Sequence, residues 1–267
     1  MIPSLHGHPH PSLQLNGHLL EEGPDYVRTA KGGIELSSSD VWQATAPGGS
    51  FTLYVDVVVD PASNTSLEGL YMSDGAFCTQ CEAEGFRKIT FYQDRPDVMA
   101  LFRVTVVAAK KGFPVLLSNG NLVSQQELPG GRHEAVWEDP FRKPCYLFAL
   151  VAGDLACLED KFKTVSGREV SLKILVQPHN LDKTHYALDS LKAAMAWDEK
   201  AFGLEYDLDV FHIVAVDNFN MARARAREWP LPHRDPAPFF LFFFKCPAPI
   251  SHLFAAQHRR GQWRTRA

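Results

Sequence analysis

No apolar run in the 267 residues reaches the roughly 18 or more that a helix needs to cross a bilayer, so no membrane span is expected. The first residues, MIPSLHGHPHPSLQLNGHLLEEG, lack the basic stretch and apolar core of a secretory leader. Excess charge is also missing: the formal net charge is −4, which gives no electrostatic reason to expect nucleic acid as the main partner. Cysteine is sparse and unpatterned. Cys78, Cys81, Cys145, Cys157 and Cys246 are odd in number, show no framework spacing, and read as reduced thiols of a cytoplasmic, reducing compartment. No nucleophile elbow G-x-S-x-G and no glycine-rich phosphate loop occurs.

What is present suits a globular protein. Hydrophobic residues are 45% and charged residues 22%, enough for a sizeable core in one large domain or two ordinary ones. Charge is split along the chain. From Ala222 to the end there are nine Lys or Arg against two Asp or Glu, while the residues before carry 18 against 29. Such asymmetry suggests segments of different origin or role.

The first ten or so residues, rich in His and Pro, read as unstructured, and 1–12 is expected to be disordered. In FTLYVDVVV, from Phe51, the alternation of Phe51, Leu53, Val55 and Val57 predicts a half-buried strand. Further strands are expected at 67–72, 87–92, 103–109, 114–118, 132–138 and 145–152, separated by turns such as Ser118-Asn119-Gly120 and Pro129-Gly130-Gly131. This pattern predicts a mainly antiparallel β domain over 13–154. After Asp154 the pattern changes: a strand at 169–177, a helix capped by Asn180 or Asp182 and running to about Phe202, and a strand at 207–216 predict the start of an α+β domain over 155–221. Leu188, Leu191, Ala194, Met195 and Phe202 fall near one face of that helix. From 222 to 267 no helical or strand period survives, and this tail is expected to be of low order.

Several segments are long and peculiar: SLEGLYMSDGAFCTQCEAEGFRKITFYQDRPDVMALF (66–102), LLSNGN (116–121), WEDPFRKPCYLFALVAGD (137–154), SGRE (166–169) and WDEKAFGLEYDLDVFHIVAVDNFNM (197–221). In these the chain resembles bacterial-type aminopeptidase N, a gluzincin zinc metallo-aminopeptidase family. The resemblance is continuous from about Asn64 to Met221 and weaker from about Leu13, and the family's opening strands are not found before residue 13. It implies a β-saddle N-terminal domain followed by the start of a thermolysin-like catalytic domain, and removal of single residues from peptide N-termini. It also implies that Gln80 and Glu82, in TQCEAEGFR, help bind the substrate's α-ammonium, and that Met221 floors the first specificity pocket. An ammonium suits a carboxylate and an amide oxygen at fixed depth, and a thioether suits a pocket for varied side chains. From the residues alone, Gln80 and Glu82 read as side chains satisfying a turn, and Met221 as a core residue at a strand end.

The family's cofactor is zinc, but its ligands are not in this chain. After Met221 the family continues into GAMEN and then an HExxH helix, whereas here Ala222-Arg223-Ala224-Arg225-Ala226 follows. The one His-Glu pair, His133-Glu134, has Trp137 where a second histidine is required, and its surroundings read as a solvent-facing β edge rather than a helix. Cys78 and Cys81 form a C-x-x-C without a second pair, and read as family cysteines flanking the amine site. The expectation is therefore a chain with no catalytic or metal-binding residues, inactive as a peptidase, with peptide N-termini as partners and neither nucleic acid nor membrane. The alternative is a catalytically dead saddle domain that binds peptides or a partner. A match ending at a single position, followed by Arg-, Ala- and Pro-rich sequence, is what a shifted reading frame or retained intron produces.

Overall fold

The computed structural model describes residues 12–30, 32–37 and 50–216, and the backbone of 240–243, 258–259 and 262–263. Met221 and most of the tail lie outside these described residues. The described chain is mainly β, as the strand periodicity predicts. It divides into two compact units, one from the described residues of Met1–Ser73, Phe77–Leu101 and Phe141–Val151, the other from Asp74–Ala76, Phe102–Pro140 and Ala152–Ala267.

In the first unit, β1 (Ser12–Leu15) lies between β2 (His18–Leu19) and β5 (Leu53–Asp56), antiparallel to both. Strands β3 (Tyr26–Arg28) and β4 (Ile34–Leu36) pair as a hairpin. Leu13, Tyr26, Ile34 and Phe91 are buried together, with Val55 and Val57 packed against them. The expected alternation in FTLYVDVVV holds from Leu53, while Phe51 is exposed. Strands β6 (Gly69–Ser73) and β7 (Ala76–Gln80) run side by side and lead into the 3-10 turn Phe86–Lys88. The strand expected at 87–92 is not formed. Arg87 donates its backbone N–H to the Asp94 carboxylate (3.0 Å), and Lys88 and Ile89 close tight turns onto Gly85 and Phe86. Local side-chain acceptors have outcompeted a ladder here.

The second unit contains most of β8 (Met99–Ala109), then β9 (Val115–Ser118), β10 (Asn121–Leu128) and most of β11 (Arg132–Pro144), with β11 in the middle of the order β10-β11-β8. This corrects the reading of His133 as a solvent-facing edge. His133 is 1% exposed on a central strand and donates from Nε2 to the Phe113 carbonyl (2.7 Å). The segment 145–152 forms a 3-10 turn (Cys145–Leu147) and then β12 (Leu150–Gly153).

Strands β13 (Ala156–Lys163), β14 (Glu169–Val176) and β15 (Val210–Val216) follow, and α1 (His185–Phe202) connects the parallel pair β14 and β15. The helix begins later than expected because Pro178–Lys183 forms a 3-10 turn, and Thr184 rather than Asn180 or Asp182 precedes it. It ends at Gly203, which adopts φ 66° and donates to the Glu199 carbonyl (3.0 Å), a left-handed stop that favours glycine. Leu188, Leu191 and Met195 pack on Val170, Leu172, Ile174, Phe211 and Ile213, as the sequence spacing predicts, whereas Phe202 is exposed. The tail is not devoid of pairing. Its backbone at Phe240–Phe243 forms β16, antiparallel to β15, and His258–Arg259 (β17) pairs with Gln262–Trp263 (β18).

Candidate functional site

Gln80 ends β7 and is 5% exposed, while Glu82, two residues on, is exposed. The Gln80 side chain donates from Nε2 to the Glu82 carbonyl (3.0 Å). That bond uses the donor end of the amide and leaves its carbonyl oxygen to accept. The two residues share one local turn: a buried amide whose oxygen can accept and, two residues on, an exposed carboxylate, both groups of the accepting kind that an alkylammonium donates to. The Glu82–Ala83 peptide bond is cis.

The turn behind them is tightly closed. Gly85 donates its N–H to the Cys81 carbonyl (2.8 Å), and a Cβ at this glycine would stand 2.3 Å from the Gln80 carbonyl oxygen. Only glycine lets the chain pass there. Arg87 then donates from Nε to Asp94 Oδ2 (3.0 Å) and from Nη2 to the Asp94 carbonyl (2.9 Å), and meets Glu84 Oε2 through Nη1 (3.1 Å). The Cys145 thiol donates to Asp94 Oδ1 (2.9 Å). Arg87, Asp94 and Cys145 lie within the motif segments, but nothing in those motifs assigns them a role at the site. The only signal available was the unusual charge pattern FRK…QDRPD around two aromatics, Phe86 and Tyr92, whose rings meet edge-on at 5.1 Å.

The thiols near this turn are buried and chemically quiet. Cys78, Cys81 and Cys145 are free and buried. Burial pushes the Cys78 thiol up to about 12, against a lowering hydrogen bond from Tyr71. Burial raises Cys81 further, with Cys145 and Asp94 beside it adding to the effect. Burial, then the hydrogen bond to Asp94, pushes Cys145 up to about 12. A thiol held protonated is neither a good nucleophile nor a metal ligand.

The residues present do not fit zinc. Among the described residues no group of three His, Cys, Asp or Glu is placed to hold a metal ion, and the sequence has no HExxH. His133 and Trp137 both lie on β11, so no helical ligand pair exists there. Among the described residues no helix is long and apolar enough to cross a membrane.

Known proteins share this chain's sequence and fold. Residues 42–147 match the peptidase M1 N-terminal domain. The chain is 61% identical over 171 residues to aminopeptidase N of Escherichia coli, covering 64% of this chain and 20% of the relative. Aminopeptidase A of Legionella pneumophila, solved in complex with aspartic acid, superposes with TM-score 0.70 at 38% identity, over 78% of this chain and 23% of that one. An M1 zinc metallopeptidase of Deinococcus radiodurans, bound to a Tyr-Ser-Ala substrate, shares the fold at TM-score 0.59 and 18% identity, over 76% of this chain and 46% of that one. The chain thus spans about a fifth to a quarter of the length of the curated relatives it matches. Its sequence matches the N-terminal portion of aminopeptidase N.

Proposed function

We propose that this chain supplies the amine-anchoring part of an aminopeptidase: Gln80 and Glu82 hold the free α-ammonium of a peptide's first residue. The observation that carries the reading is the Gln80 side chain, buried yet tied by Nε2 to the Glu82 carbonyl, beside an exposed carboxylate. Holding the amine at fixed depth is how an exopeptidase counts one residue from the end. Met221 belongs to the same reading as the floor of the side-chain pocket. Residues 13–154 are assigned to a β-saddle domain and 155–221 to the start of a thermolysin-like domain. The β14–α1–β15 crossover supports the second assignment. Three buried free thiols support a cytoplasmic, reducing setting.

Hydrolysis in this class requires a zinc-activated water and a glutamate base, and the residues here do not supply them. The relatives' peptidase activity is thus assigned to residues outside this chain, and the chain by itself is a binding module. Titrating the full chain with alanine amide and with N-acetylalanine amide, followed by NMR, tests the reading. Binding on the order of millimolar is expected for the free amine alone, weakened about tenfold or more by Glu82→Gln, since a hydrogen bond to a charge contributes about 1.5–3 kcal/mol. Equal binding of the acetylated amide would remove the amine site. Stoichiometric zinc with chelator-sensitive turnover of an alanyl fluorogenic amide would overturn the binding-module reading.

A further inference from the structure

We propose that Asp94 is a positioning residue for the amine site, fixing through Arg87 the turn from which Gln80 and Glu82 meet their ligand. The inference rests on the amine-anchor reading of those two residues. Asp94 is 6% exposed, and its carboxylate takes donors from two parts of the chain. Oδ2 accepts the Arg87 backbone N–H and the Arg87 Nε–H, both at 3.0 Å, and Oδ1 accepts the Cys145 thiol at 2.9 Å. A buried carboxylate persists only when paired and hydrogen-bonded in this way.

Arg87 transmits the constraint forward. Its guanidinium reaches back to Glu84 (3.1 Å) while also donating to the Asp94 carbonyl (2.9 Å), so it spans the turn between Glu84 and Asp94. The mechanical link to Gln80 is Gly85. It donates to the Cys81 carbonyl, and its Cα lies so close to the Gln80 carbonyl that no Cβ fits. Any shift of the Phe86–Lys88 turn therefore presses directly on the backbone of Gln80. Sites of this kind need their ligating groups held to about 0.5 Å, and the side chains of Gln80 and Glu82 make no direct bond to Asp94 that could do this instead. Asp94 acts through Arg87.

The test uses the full chain with Asp94→Ala, Asp94→Asn and Arg87→Gln, titrated with alanine amide and its N-acetyl control. The Gln80 side-chain amide resonances are followed throughout. Asp94→Ala is expected to move the Gln80 amide resonances before any ligand is added and to weaken amine binding about tenfold or more. Asp94→Asn, which keeps an oxygen for Arg87, is expected to restore most of the affinity. Arg87→Gln is expected to act like Asp94→Ala, and it decides the matter if Asp94→Ala fails to fold. Methyl resonances of Leu13 and Ile34 report whether the unit remains folded. Folded variants that bind as wild type, with the Gln80 resonances unmoved, would overturn the proposal. A wild-type chain that ignores alanine amide would instead remove the amine-anchor reading, and the Gln80 resonances would still decide whether Asp94 positions this turn.

Discussion

His212 is 3% exposed in β15, its ring edge-on to Trp137 with centroids 5.4 Å apart. In the sheet register it follows Glu159 and Lys173 across β13, β14 and β15. Burial lowers its pKa to about 4, the Lys173 ammonium adds to this, and Glu159 opposes it. The unfolded chain protonates near the ordinary value of about 6.5, so acid favours unfolding. Full stability is expected above about pH 6.5, falling progressively towards pH 4 by about 3 kcal/mol and levelling below. Denaturant midpoints measured from pH 7.5 to 4 check this. His212→Gln is expected to flatten that window, whatever its effect at neutral pH. An unchanged pH slope in the variant would show that other groups carry the acid sensitivity.

At the scale of the element, the β14–α1–β15 crossover and the β9–β10 turn hold by different means. The helix is held by its apolar face: Leu191 is fully buried in the core with residues of β14 and β15, while Trp197 is 45% exposed. Leu191→Ala is expected to lower unfolding free energy by about 2–5 kcal/mol, and Trp197→Ala by less than about 1 kcal/mol. Equal losses by chemical denaturation would contradict the assigned face. The turn is held by backbone proximity. Gly120 has φ +89°, and a Cβ there would stand 2.1 Å from the Glu138 carbonyl oxygen. It delivers Asn121 to a reciprocal pair with Asp209, Nδ2 donating to Oδ2 and the Asp209 N–H to Oδ1, both at 3.0 Å. Gly120→Ala is expected to cost more than about 2 kcal/mol, because strain and collision add. A loss below that, measured by the same denaturation, would mean the turn can move aside.

For the whole molecule the decisive strand is β15. It is buried along nearly its full length and pairs with β14 on one edge. Its other edge is taken by β16, in the register Ile213↔Phe243 to Val216↔Phe240. An uncovered strand of this composition would template association with other chains. Leu241→Pro removes a backbone donor and cannot continue a ladder. It is expected to speed amide exchange across Val210–Val216 and to produce concentration-dependent association in sedimentation velocity. A monomeric variant with unchanged exchange would show that the tail strand does not protect β15.

The amino-acid sequence determined the class of the fold, because period-2 alternation and the 3.6-residue spacing of Leu188, Leu191 and Met195 are local properties that packing only had to accept. The motif segments likewise carry the resemblance that implies an ammonium-binding role for Gln80 and Glu82, whereas residue types and spacing by themselves read as a turn. Tertiary structure alone decided three other things. It fixed 87–92 as a turn, because Asp94, which accepts the Arg87 N–H locally, is itself held by the Cys145 thiol from a distant part of the chain. It placed β11 in the middle of its sheet and covered the His133 side chain, where alternation by itself could not tell a central strand from an edge or a covered face from an open one. It gave the patternless tail a strand at Phe240–Phe243, because a free sheet edge accepts backbone whatever its side-chain period.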